Sequence, residues 1–217
     1  MIEAVFFDVD DTLVDSDGAA RVAFHAVFGA SAEYAAWMVL SREWYPRHPQ
    51  ELSWEDMRVG RTAAFLDLLA RPDEPSSVEA RRIEIMEAST RLFADVPECL
   101  HALRQAGLKL GVITNSESEH QRRKLRAVGL ADAFDTVVIS GEFGAAKPDP
   151  AIFEHACAAL GVAPHAALHV GDRLDLDALG ASAAGLRGVW LDRRAEANGE
   201  HRVPIVSGLA GLPEMLG

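Results

Sequence analysis

Five short runs of branched and aromatic residues punctuate the chain: EAVFFDV at 3–9, LKLGVIT at 108–114, DTVVIS at 135–140, AALHV at 166–170 and RGVWL at 187–191. Each is nearly continuous in its apolar character, where a strand with one wet face would alternate. Such runs fit a parallel sheet covered on both sides by crossover helices. The segments PECLHALRQAG (97–107), SEHQRRKLRAVG (118–129), PAIFEHACAALG (150–161) and LDALGASAAG (176–185) have helical spacing and finish at a glycine, the common C-terminal stop. The pattern predicts an α/β fold with a doubly wound, mainly parallel sheet.

One interval breaks this rhythm. After the first run about 75 residues pass before the second, far more than an ordinary connection. They read as helix after helix, GAARVAFHAVFG, AEYAAWMVLSREWY, SWEDMRVGRTAAFLDLLA and SSVEARRIEIMEASTRLF, broken by PRHPQEL and RPDEP. An all-helical domain inserted after the first strand is therefore expected, with 1–15 and 94–217 forming the α/β core and 16–93 the insertion. Trp37, Trp44, Trp54 and Phe65 are expected to build the core of that insertion.

In open α/β sheets ligands bind outside the carboxyl ends of the strands, so the residues closing each apolar run are the place to look for chemistry. The first run ends in Asp8 and Asp10, and the second in Thr114 and Asn115. After the third comes GAAKPDP with Lys147, and the fourth leads into GDRLDLD with Asp172, Asp175 and Asp177. Crowded carboxylates repel unless a cation sits among them. Mg²⁺ takes hard oxygen ligands, and Asp8 and Asp172 are the expected ones. The Thr114 hydroxyl and nearby backbone N–H groups suit phosphate oxygens, with Lys147 neutralising charge.

Asp8-Val9-Asp10-Asp11-Thr12-Leu13, Thr114-Asn115, Lys147-Pro148-Asp149-Pro150 and Gly171-Asp172 with Asp177 resemble the four ordered motifs of the haloacid dehalogenase superfamily, and the resemblance spans the whole chain. It implies a Rossmann-like core with a helical cap and an Mg²⁺-dependent phosphatase acting on a small phosphorylated metabolite. Asp8 would be the nucleophile, Asp10 the general acid and base, and Thr114, Asn115 and Lys147 the phosphate-binding residues. The implied metal set is Asp8, the main-chain carbonyl of Asp10, Asp172 and Asp177, with Asp177 either supporting the metal shell or orienting the lysine and Asp175 its alternative. Asp11, Ser116 and Arg173 stand where glycine, glycine and serine are common in the family. A phosphomutase would share every motif, whereas a dehalogenase would lack the acid at Asp10. VITNSESEHQRRKL (112–125) resembles the branch holding pyrimidine nucleotidases and N-acylneuraminate phosphatase, which points to a nucleotide or sugar phosphate.

Other features carry blander readings. The net charge of −12 argues against a nucleic-acid polymer or a membrane surface as partner, and with no apolar run long enough to span a bilayer the expected location is the cytoplasm. Cys99 and Cys157 are not spaced for a disulfide framework or zinc and read as reduced packing residues. Asp11 reads as a turn or capping residue. His165 and His169 straddle a loop and a strand start, which disfavours a metal site, and RRKLR (122–126) reads as a solvated helix face.

Overall fold

The computed structural model describes residues 1–47, 51–198 and 200–216. They form two compact units, residues 1–16 with 91–217 and residues 17–90. Among the described residues no helix is long and apolar enough to cross a membrane.

The helical unit is built from α1 (Ser16–Phe28), α2 (Tyr34–Trp44), α3 (Trp54–Leu68) and α4 (Pro75–Ser89). Local sequence starts the last two. Ser53 Oγ accepts the Asp56 N–H at 3.1 Å, and the Glu74 carboxylate takes the N–H groups of Ser76 and Ser77 ahead of Pro75. Phe24, Phe28, Trp37 and Phe65 pack with ring centroids 4.8 to 5.8 Å apart. Trp44 and Trp54 depart from the sequence expectation: both are only half-buried, because they stand at helix ends beyond the reach of that cluster. Buried beside it, Glu79 accepts Arg82 Nη2 at 2.7 Å, Arg82 Nε at 2.8 Å and Thr62 Oγ1 at 2.7 Å, with Arg61 Nη2 3.6 Å away. The Arg61 guanidinium lies 4.0 Å from the Trp37 ring centroid.

In the α/β unit β1 (Ala4–Phe7), β2 (Lys109–Thr114), β3 (Thr136–Ile139), β4 (Ala167–Gly171), β5 (Arg187–Leu191) and β6 (Ile205–Val206) form one parallel sheet. The strand order is β3-β2-β1-β4-β5-β6. The first five meet the expectation. β6 escapes sequence reading because two residues after a proline give no pattern.

Alternate residues of β1 supply opposite cores. Val5 and Phe7 join Cys99, Leu100 and Leu103 of α5 (Val96–Gln105) and Leu125 of α6 (Ser118–Ala127). Ala4 and Phe6 join Ile152, Phe153 and Ala156 of α8 (Pro150–Leu160) and Ala181 of α9 (Gly180–Ala183), while α7 (Ser140–Phe143) is a single turn after β3.

Residues 91–93, assigned to the insertion by sequence, belong here. The reason is a short clasp: the Asp15 N–H donates to Arg91 O and the Phe93 N–H to Leu13 O, both at 3.0 Å.

Candidate active site

The sheet reverses its direction of growth at β1, with β2 on one side and β4 on the other. That switch point leaves a crevice at the strand tips. Phe7 pairs in register with Val112 and Val170, and the Asp8 N–H adds one more rung to Val170 O at 3.0 Å, so Asp8 emerges at the crevice. The chain then folds back on itself. The N–H groups of Leu13 and Val14 both reach Val9 O at 2.9 Å, and Asp11 takes φ 55°, a turn conformation that acidic and amide residues tolerate.

Below β4 the backbone makes a π-helical turn over Leu174–Leu179, a form found mostly at functional sites. Two glycines admit it. A Cβ on Gly171 would lie 2.2 Å from Asp177 Oδ2, and one on Gly188 would lie 1.9 Å from Ala178 O.

All of Asp8, Asp10, Thr114, Asn115, Lys147, Asp172 and Asp177 line one cavity of about 250 Å³. Asp175 does not join them: it is exposed and pairs with Arg173 at 3.1 Å. Lys147 is the hub. Its buried Nζ donates to Asp8 Oδ1 at 2.8 Å, Asp177 Oδ1 at 2.6 Å and Ile113 O at 2.8 Å. Asn115 holds the loop that carries it, accepting the Lys147 N–H at 2.8 Å and donating to Lys147 O at 2.9 Å. Both ends of that amide are thus engaged with protein, where sequence reading gave Asn115 to the substrate.

Asp177 also accepts His169 Nε2 at 3.1 Å and the Arg173 N–H at 3.0 Å, so each of its oxygens is already bonded to protein. Its burial favours the neutral acid, yet Lys147 and His169 hold it well below the usual carboxylate range. His169 is buried and its pKa is lowered, chiefly by that burial, which suits a neutral ring with Nε2–H donating.

The charges do not balance. Carboxylate oxygens of Asp8, Asp172 and Asp177 lie within 4.8 Å of one another, while Lys147 bridges only Asp8 and Asp177. Three acids against one ammonium leave two negative charges in excess, the charge of one divalent cation. Asp8 is accordingly pushed up to about 7, first by burial and then by Asp177 and Asp10 against the opposing pull of Lys147. Asp172 is pushed up to about 8 by burial and by Asp8, Asp177 and Asp11.

Asp10 is different. Its carboxylate takes Ser16 Oγ and Lys124 Nζ on Oδ1 and Gln121 Nε2 on Oδ2 at 3.1 Å. Burial works to raise its pKa, but Lys124, Ser16 and Gln121 together hold it below the ordinary value. This corrects the reading of RRKLR as a solvated face: Arg122, Arg123 and Arg126 are polar surface, but the Lys124 side chain is only 13% exposed and points inward to Asp10.

The family model for haloacid dehalogenase-like hydrolases matches residues 2–185. The chain belongs to that family. It is 38% identical over 200 residues to the glyceraldehyde 3-phosphate phosphatase of Methanopyrus kandleri, covering 89% of this chain and 85% of the relative. It is 33% identical over 225 residues to the N-acylneuraminate-9-phosphatase of Mus musculus, covering 95% and 86%. Among solved structures, the magnesium-bound HAD-hydrolase YfnB of Bacillus subtilis superposes with a TM-score of 0.80 at 22% identity, covering 99% of this chain and 98% of that one. This likeness bears on the fold. The acids and lysine described above are therefore those of a haloacid dehalogenase-like hydrolase, standing at the switch point of its sheet.

Proposed function

We propose that this haloacid dehalogenase-like hydrolase is an Mg²⁺-dependent phosphatase that cleaves a small phosphomonoester, a sugar phosphate or a nucleotide, through an aspartyl-phosphate. The observation that carries the reading is the pairing of two acids in one cavity with opposite environments. Asp8 is held by Lys147 at 2.8 Å in a carboxylate-rich pocket, while Asp10, two residues on, has its own set of donors. Neighbouring acids with different surroundings suit the division of labour between nucleophile and proton carrier. Relatives that cleave small phosphate esters support the reaction class, and two buried, unpaired cysteines suit a chain working in the reducing cytoplasm.

The donor set fits the metal: hard carboxylate oxygens, close together, with two uncompensated charges. Asp8 and Asp172 would hold the ion with the main-chain carbonyl of Asp10, and the bound ion supplies charge neutralisation at the phosphoryl oxygens. Asp177 is better placed to orient Lys147, since both its oxygens already accept protein donors.

In the first step an Asp8 oxygen forms a bond to phosphorus as the ester P–O bond breaks. Asp10, ionised in the free chain, first takes the proton of the bound phosphomonoester monoanion and passes it to the departing oxygen, which keeps that electron pair. Lys147 and the Thr114 hydroxyl steady the charge gathering on the phosphoryl oxygens. In the second step water adds to phosphorus, Asp10 takes its proton, and the acyl-phosphate bond breaks to return the Asp8 carboxylate with inorganic phosphate. A carboxylate suits this role because its phosphorylated form is itself hydrolysable.

The test is phosphate release from a metabolite panel and from p-nitrophenyl phosphate, with Mg²⁺ and with chelator. Asp8→Asn should remove turnover by at least about 10³-fold, the scale lost when a covalent nucleophile is deleted. Full activity in that variant, or activity indifferent to chelation, would refute the assignment.

A further inference from the structure

We propose that Lys124 and Gln121, on the inner side of α6, are positioning residues that aim the Asp10 carboxylate at the departing oxygen. The proposal rests on the phosphatase reading above and concerns a catalytic group there that Lys147 does not hold.

Asp10 needs such help. It follows β1 in a turn, and its side chain is 38% exposed, so nothing in the strand itself fixes its rotamer. Three donors do. Lys124 Nζ and Ser16 Oγ converge on Oδ1, and Gln121 Nε2 takes Oδ2 at 3.1 Å. Residues three apart on a helix share a face, so Gln121 and Lys124 present their donors together, and Leu125 beside them anchors that face in the core. Gln121 does more than hold one oxygen. Its Nε2 also lies 3.1 Å from Thr114 Oγ1, so one amide links the proton-carrying acid to the hydroxyl proposed to hold phosphate. The spacing between those two groups is thereby set by α6.

Orientation of this kind matters through geometry. A reacting group displaced by about 1 Å can lose on the order of 10²-fold in rate. The loss should fall where protonation of the leaving oxygen matters most, which gives a readout that a general structural role would not move.

The experiment compares kcat/KM for p-nitrophenyl phosphate and phenyl phosphate in the unaltered chain, K124M, K124R and D10N. This ratio reports events up to departure of the alcohol, so the second step does not enter it. Phenolate is the more basic leaving group and depends more on the proton from Asp10. K124M is expected to lose roughly tenfold on phenyl phosphate and less than about threefold on p-nitrophenyl phosphate. D10N should show the same selectivity more strongly, and K124R, which keeps a donor cation on Asp10, should recover most of the loss. Unfolding midpoints establish that K124M is folded. An equal loss on both esters in K124M, or no loss on either, overturns the positioning role while leaving the phosphatase reading in place. Hydrolysis of neither ester by the unaltered chain removes both.

Discussion

The uncompensated charge in the cavity should be visible as a pH-dependent stability that Mg²⁺ abolishes. In the ion-free chain Asp8 titrates at about 7 and Asp172 at about 8, both raised from 3.8, first by burial and then by neighbouring acids. A carboxyl whose folded pKa is raised keeps its proton in the native state after the unfolded chain has released it. Stability is therefore lost as pH rises towards and through the folded values.

The window runs from pH 6.5 to about 8. Below it, the buried neutral His169, lowered from 6.5 chiefly by burial, contributes a slope of opposite sign. Across the window the ion-free chain should lose about 2.5 kcal/mol, roughly two-thirds of it from Asp172, which keeps its proton to higher pH. For a chain of 217 residues that is a fall in Tm of roughly 5–10 °C. Thermal unfolding in EDTA and in saturating Mg²⁺ measures it. With the ion bound both carboxylates are held ionised, so the slope should vanish and the gain from Mg²⁺ should be larger at pH 8. Asp172→Asn should flatten most of the slope without any ion. A Tm in EDTA that is level or rises with pH, or a gain from Mg²⁺ that is equal at both ends, would refute the charge argument.

Two further substitutions probe the scaffold. Gly171→Ala should force Asp177 from its place, because the new Cβ would lie 2.2 Å from Oδ2; steady-state assays should show kcat lowered by at least about tenfold, with roughly 1–3 kcal/mol of stability lost in urea unfolding. In the helical unit, Glu79→Gln leaves Arg61 and Arg82 buried without a counter-charge and should destabilise by about 3–5 kcal/mol, read as a fall in the urea midpoint of that unit.

The strands and the acids at their ends were legible because both follow from local pattern: apolar runs stop where the sheet stops, and polar groups begin there. Asp8, Thr114 and Asp172 announce themselves in this way. Lys124 did not. It sits among three other cations and polar residues, and composition alone makes that stretch look wet. Its signal was positional: Gln121, Lys124 and Leu125 fall on one helical face, and a leucine turned inward carries its neighbours with it. Asn115 lines the cavity, but its engagement with the Lys147 backbone depends on a loop 32 positions away, which no local pattern encodes. The π-helical turn was likewise invisible, since its condition is the absence of side chains at Gly171 and Gly188 on different strands. Trp44 and Trp54 show the converse: aromatic content predicts burial on average, and position at a helix end overrides it.

The clasp joining Leu13–Asp15 to Arg91–Phe93 makes the helical excursion leave and return through neighbouring rungs of backbone. Bringing its two stalks together therefore asks almost nothing of the intervening segment, whose length enters only logarithmically in the entropy of closure. The module between them can be enlarged, trimmed or exchanged over evolutionary time like a cassette. The length of that module can then change without moving the acids at the tips of the sheet.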